Sequence, residues 1–135
     1  MSGAPVDNVE LDDRGLPVGG RPFKPEWETT PREVKAKLDS ESDALVLIDC
    51  RRPEEHEHCR IESPNQRLVP MHETWSRLKE LSPLKDKEVV VYCHTGRRSL
   101  WVAAFLRQAG FKDVKSMAGG IDVWSIDIDS SVPRY

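Results

Sequence analysis

Little in this 135-residue chain commits it to a specialised environment. Its three cysteines, Cys50, Cys59 and Cys93, are an odd number without CxxC spacing. That argues against a disulfide framework and suits reduced thiols in a reducing compartment. A basic surplus is also lacking: 23 acidic residues against 20 lysines and arginines leave a net charge of −3. So balanced a chain has no electrostatic footprint for nucleic acid or an anionic membrane, and any anion site has to be local. The longest apolar run, Leu100 to Leu106, is far short of a bilayer span, and Met1 to Pro5 lack the basic start and hydrophobic centre of a secretory signal. The reading is a soluble, cytoplasmic chain with no nucleic-acid or membrane partner. No internal repeat is visible, and the length suits one compact domain with a core of its own.

What is present begins with a lead-in. Residues 1–26 are rich in proline and glycine and are expected to be irregular, with Leu16, Phe23 and Trp27 available to pin them to a domain spanning 27–135. Thr30-Pro31-Arg32-Glu33 then supplies an N-cap, a proline at the first helical position and a carboxylate three residues after the cap. The spacing predicts a helix over 31–39, ended by the polar run Asp39 to Asp43. Ala44 to Ile48 is apolar without alternation, which suits a strand covered on both faces and therefore a parallel sheet. Pro53, Glu54 and Glu55 start a short helix through His58. Further elements are a short strand at 67–70, an amphipathic helix at 74–81 carrying Trp75, Leu78 and Leu81, a short strand at 112–116, and a last helical turn opened by Gly119-Gly120. Alternating strands and helices define an α/β domain with a mostly parallel sheet.

The stretch with the most chemistry is Val89-Val90-Val91-Tyr92-Cys93-His94-Thr95-Gly96-Arg97-Arg98-Ser99. A strand ending at Cys93 runs through a small basic loop into a helix that closes near Gly110. Such a turn points successive N–H groups inward and adds the positive end of the helix dipole, which favours a thiolate at Cys93. Gly96 lets the backbone turn with positive φ. In parallel sheets ligands bind beyond the carboxyl ends of the strands, and Asp49 and Cys93 both sit there. Asp49 is expected to cap its turn, and Arg51 to pair with Glu54 or Glu55. Cys50 shares a strand face with Val46 and Ile48 and is read as buried and inert. Trp101 and Phe105, four apart, are read as core.

Taken together, Leu47-Ile48-Asp49-Cys50-Arg51 with Pro53-Glu54-Glu55, the Cys93 to Ser99 loop, Ala103-Ala104 and Leu106 with Gly110-Phe111, and Gly119-Gly120 with Trp124 resemble a single-domain rhodanese-like sulfurtransferase. The resemblance covers roughly residues 28–128 and implies a rhodanese-like three-layer fold: a five-stranded, mostly parallel sheet with helices on both faces. It departs from the family at Cys59-Arg60-Ile61-Glu62-Ser63-Pro64, where the family commonly has glycine-histidine-isoleucine-proline-glycine-alanine. The implied chemistry is sulfur transfer through a Cys93 persulfide, with His94, Thr95, Gly96, Arg97, Arg98 and Ser99 forming the substrate-binding loop. Arg98 is assigned to an oxyanion and Arg97 comes second, while His94 either tunes the thiolate or faces water. Asp49, Arg51 and Arg60 are placed as supporting residues. The donor is a small anion, thiosulfate or a persulfide; the acceptor is a thiol, cyanide or a sulfur-carrier protein. No cofactor is implied.

Phosphatases and arsenate reductases of the same fold resemble this chain but place an arginine six positions after the cysteine. Here the sixth position is Ser99 and the arginine, Arg98, is fifth. The shorter loop suits a single sulfur atom. A non-catalytic rhodanese-like binding module is the third reading, disfavoured by the intact loop. His56-Glu57-His58-Cys59 suggests zinc, yet only His56 and Cys59 share a helical face, too few ligands for a structural site, and no metal is assigned.

Overall fold

A computed structural model describes residues 9–41 and 43–135. Met1 to Pro5 and Ser42, which entered the readings of the lead-in and of the first helix end, lie outside the described residues. Five strands, β1 (Glu28–Thr29), β2 (Leu45–Asp49), β3 (Gln66–Leu68), β4 (Glu88–Tyr92) and β5 (Asp113–Met117), form one sheet in the order β1-β5-β4-β2-β3. Every pairing in it is parallel. Helices α1 (Pro31–Glu41), α2 (Pro53–His58), α3 (Leu78–Leu81), α4 (Arg97–Gln108) and α5 (Gly120–Val123) connect the strands, and α5 runs on into a π-helical turn, Trp124–Ile128.

Strand alternation divides the apolar residues into two cores. Val46 and Ile48 of β2 and Val89 and Val91 of β4, with Cys50 and Cys93 just past the strand ends, lie on one side, where Leu81 and the α4 residues Val102, Ala103 and Leu106 cover them. Leu45, Leu47, Val90 and Tyr92 point to the other, against Val34 of α1, Ile121 of α5 and Trp124. Both faces of the central strands are therefore dry, which is why β2 carries no polar alternation. The start of α1 is set by a capping box: Glu33 Oε1 accepts the Thr30 N–H (3.2 Å) and the Thr30 hydroxyl accepts the Glu33 N–H (3.2 Å). The helix continues to Glu41, past the expected end at Asp39.

Two expectations require correction, and one strand adds to them. The helix predicted over 74–81 is only Leu78–Leu81, preceded by a 3₁₀ turn at Met71–Glu73. The Met71 N–H is donated to the Cys50 carbonyl (3.0 Å), so this segment is pinned across the sheet end before it can wind, and Trp75 stays 77% exposed. Trp101 is 56% exposed rather than core, because α4 turns Ser99, Val102, Ala103 and Leu106 inward and leaves Trp101 stacked on Phe105 at 5.7 Å. β1 was not foreseen, since two residues carry no periodicity; its pairing with Ser116 and Met117 is a tertiary event. In the lead-in, an isolated bridge joins Leu11 and Pro17, and Leu16 is buried.

Candidate active site

The candidate site lies where β2 and β4 end side by side. Asp49 and Tyr92 are register partners, so Cys50 and Cys93 follow as neighbours, and the Cys50 N–H bonds the Tyr92 carbonyl (3.0 Å). Cys93 is 1% exposed, which deprives its sulfur of water and makes protein donors necessary. The Gly96 N–H (3.1 Å) and the Ser99 N–H (3.3 Å) both point at Sγ. Gly96 achieves this with φ 97°, a conformation that favours glycine. The Ser99 hydroxyl sits 3.3 Å from the same sulfur and 2.7 Å from the Ser116 hydroxyl. As a thiol Cys93 donates to the Ser99 hydroxyl; once ionised it accepts from that hydroxyl, and the Ser116 hydroxyl can then donate to Ser99 in turn.

These neighbours lower the Cys93 pKa from 9.0 to about 5, the Cys50 thiol being the largest cause; burial opposes the shift, and the Ser99 hydroxyl and the Ser99 and Gly96 N–H groups reinforce it. Its partner Cys50 moves the other way, raised by the hydrogen bond to Cys93 and by burial. The basic loop therefore lowers the thiol less through its arginines than through donors and a second thiol.

Behind the loop stands α5. Its Ile121 N–H donates to the Cys93 carbonyl (2.9 Å) and its Asp122 N–H to the His94 carbonyl (3.0 Å). A Cβ at Gly120, where φ is 62°, would run into both carbonyl oxygens. The glycine pair is thus the surface on which the cysteine loop is laid.

Charged residues form a connected set beside the thiol. Arg98 makes a two-pronged pair with Glu55, Nη1 to Oε1 at 2.8 Å and Nη2 to Oε2 at 3.1 Å. Glu55 also accepts the Arg52 N–H (3.0 Å) and the Tyr135 hydroxyl (2.7 Å). The Arg98 guanidinium is the main reason its carboxyl is held at about 2; burial opposes this and the Tyr135 hydroxyl adds to it. Arg51 does not pair with Glu54 or Glu55 as expected. Fully buried, it binds Asp49 through Nε to Oδ1 (2.8 Å) and Nη2 to Oδ2 (2.7 Å), and donates to the Cys59 carbonyl (2.6 Å) and the Tyr135 hydroxyl (2.9 Å). A buried guanidinium needs an equally buried carboxylate, and Asp49 is the one at hand. Asp49 also caps its turn through the Arg51 N–H (3.1 Å) and meets His56 Nδ1 (2.8 Å). His94 faces neither sulfur nor open water alone: its ring stacks on Tyr135 at 4.0 Å.

The other loop residues are more peripheral. Thr95 and Arg97 are exposed, and the Thr95 carbonyl accepts from Arg21 (2.7 Å). Arg60 is not brought to the site; it binds Glu62 (3.1 Å) and the His56 carbonyl (3.1 Å) and borders a separate hollow with Trp124 and Val132. A cleft of about 530 Å³, lined by Cys50, Arg51, Glu55, Met71, His72 and Arg98 among others, opens next to the Cys93 loop. Sequence reasoning missed Glu55 as the holder of Arg98, and Tyr135, which lies 80 residues from Glu55. It also missed Cys50 as a partner, although two cysteines one residue past adjacent strands were a usable signal.

An all-parallel sheet with a buried, donor-wrapped thiol at a strand-to-helix turn defines a class of cysteine-loop α/β proteins. Within that class the chain belongs to the rhodanese-like domain family, whose sequence pattern matches residues 30–127. It is 35% identical over 97 residues to a sulfurtransferase of Allochromatium vinosum, covering 66% of this chain and 87% of that protein. It is 36% identical over 97 residues to the chloroplastic rhodanese-like/PpiC domain-containing protein 12 of Arabidopsis thaliana, covering 69% of this chain but only 31% of that longer protein. Among solved structures, a rhodanese-like domain protein from Staphylococcus aureus superimposes with a TM-score of 0.65 at 29% identity, over 76% of this chain and 94% of that one. No helix among the described residues is long and apolar enough to cross a membrane.

Proposed function

We propose that the chain is a sulfurtransferase that carries sulfane sulfur on Cys93, the activity residing in residues 27–135. The observation that carries this reading is the buried Cys93 sulfur with N–H donors from Gly96 and Ser99, which help hold its thiol below the ordinary value. A thiolate so held is a nucleophile at neutral pH. Cys93 Sγ attacks the outer sulfur of thiosulfate or of a donor persulfide. A bond to that sulfur forms, and the old sulfur–sulfur bond breaks with its electron pair leaving on sulfite or on the donor thiolate. The terminal persulfide sulfur then sits in the ring of N–H donors. An acceptor thiolate, a sulfur-carrier protein or cyanide attacks it and regenerates the Cys93 thiolate.

Arg98 is the oxyanion group, its planar fork presented at the cleft by Glu55. The sixth position of the loop, where phosphatases of this fold resemble one another in placing arginine, is Ser99, whose N–H and hydroxyl both serve the sulfur. That leaves the loop suited to one sulfur atom and not to a phosphate. The test is incubation with thiosulfate followed by intact mass measurement. Gain of one sulfur atom, removed by cyanide and absent from Cys93→Ala, supports the reading; no adduct, together with turnover of a phosphate ester, overturns it.

A further inference from the structure

Cys50 is a buried nucleophile that sulfur transfer leaves unused, and it is beside Cys93. The two residues follow the register pair Asp49 and Tyr92 on adjacent parallel strands, and their side chains enter the same core. Parallel neighbours lie about 4.8 Å apart, inside the Cα separations of roughly 4.4–6.8 Å that a disulfide spans. Both are free thiols. The cleft beside the loop is lined by Cys50 and Arg98, so a small solute entering it meets Cys50, the residue next to Cys93 across the strands. Cys59, the third cysteine, belongs to the opposite core, held against the Pro133 carbonyl at 3.7 Å and Arg51 at 3.9 Å. Only one of the three possible pairings is therefore within reach without unfolding.

We infer that Cys50 and Cys93 form a redox-active dithiol that takes small hydroperoxides, Cys93 being the attacking sulfur and Cys50 the resolving one. The Cys93 thiolate attacks the outer oxygen of hydrogen peroxide; an S–O bond forms, the O–O bond breaks, and hydroxide leaves, giving a sulfenic acid. The Cys50 sulfur then displaces the sulfenic oxygen, which takes the Cys50 proton and departs as water, and the Cys50–Cys93 disulfide remains. An external thiol reduces it by exchange, restoring both thiols. Placed side by side in one core, the two sulfurs bias each other in opposite directions, Cys93 downward and Cys50 upward, which gives an ionised attacker beside a protonated partner. Closing the bond removes the nucleophile reversibly, and it stops Cys93 short of the irreversible sulfinic state.

The test treats the reduced full chain with equimolar hydrogen peroxide, alkylates the remaining thiols, and reads intact mass and a peptide map. The expected result is loss of two alkylatable thiols, a peptide linking Cys50 to Cys93, Cys59 still alkylated, and full recovery on adding dithiothreitol. Cys59→Ser should behave the same, whereas Cys50→Ser, given two or more equivalents of peroxide, should carry Cys93 through the sulfenic acid to sulfinic acid that dithiothreitol does not reverse. A wild-type chain that keeps all three thiols, forms its link through Cys59, or gains sulfinic acid at Cys93 with Cys50 still alkylated overturns the proposal. The wild-type map decides by itself if Cys50→Ser fails to fold. Because the readout is thiol state, it stands apart from sulfur loading by thiosulfate.

Discussion

A thiolate stripped of water survives only where fixed donors replace the lost hydration, and at Cys93 the replacements are the Cys50 thiol, the Ser99 hydroxyl and two N–H groups. Reactivity should follow ionisation. Alkylation of Cys93 by iodoacetamide is expected to have its midpoint near pH 5 rather than near the ordinary 9.0, and Cys50→Ser should move that midpoint upward. The sign for stability is that of an acid whose folded value is depressed: the stabilisation is complete above the unfolded thiol value and is lost as pH falls through about 5. A midpoint unchanged in Cys50→Ser would remove Cys50 from this role. Arg98, proposed as the oxyanion group, can be tested separately. Its loss to alanine should lower kcat/KM for thiosulfate roughly tenfold to hundredfold, the size of a lost charged hydrogen bond, and affect a persulfide donor less. Equal losses on both donors would take away the oxyanion role.

The element that positions this chemistry is the short α5, whose N–H groups hold the carbonyls of Cys93 and His94. Gly120→Ala is expected to lower stability by more than the about 1–2 kcal/mol of a left-handed backbone alone, since the added Cβ collides with both carbonyl oxygens. Gly19→Ala is the comparison, because φ there is 78° and nothing lies within 4 Å. Urea midpoints of the two variants read the difference; equal losses would mean that the glycine pair does not support the loop. The helix expected at 74–81 is shortened by a contact of this same kind. Its apolar spacing was real, but the Met71 N–H is committed to the Cys50 carbonyl and Trp75 is left outside. Trp75→Ser should accordingly change stability by no more than about 0.5 kcal/mol in thermal or urea unfolding.

Across the whole molecule, contacts distant in sequence join the lead-in and the chain's last residues to the sheet ends. Arg21 reaches the Thr95 carbonyl, and Tyr135 ties Arg51 to Glu55. Leu16 is only 7% exposed, so Leu16→Asp should destabilise the fold by roughly 1–3 kcal/mol, the penalty of an unpaired polar group in a dry site. A variant as stable as the parent would mean that residues 9–26 do not share the domain's cooperativity.

Much of this was readable from the chain alone. Apolar runs at 45–48 and 89–92, proline and carboxylates at helix starts, and the spacing from Cys93 to Ser99 are local properties, and they determined an α/β domain with a parallel sheet and a thiol at a strand-to-helix turn. The partners of the charged residues were not readable. Arg51 chose Asp49 over the nearer-seeming Glu55, Glu55 went to Arg98 and Tyr135, and Cys50 proved to be the neighbour of Cys93. Strand order and register decide which side chains meet in a dry space, and a buried charge or thiolate takes whichever donor that packing brings within reach.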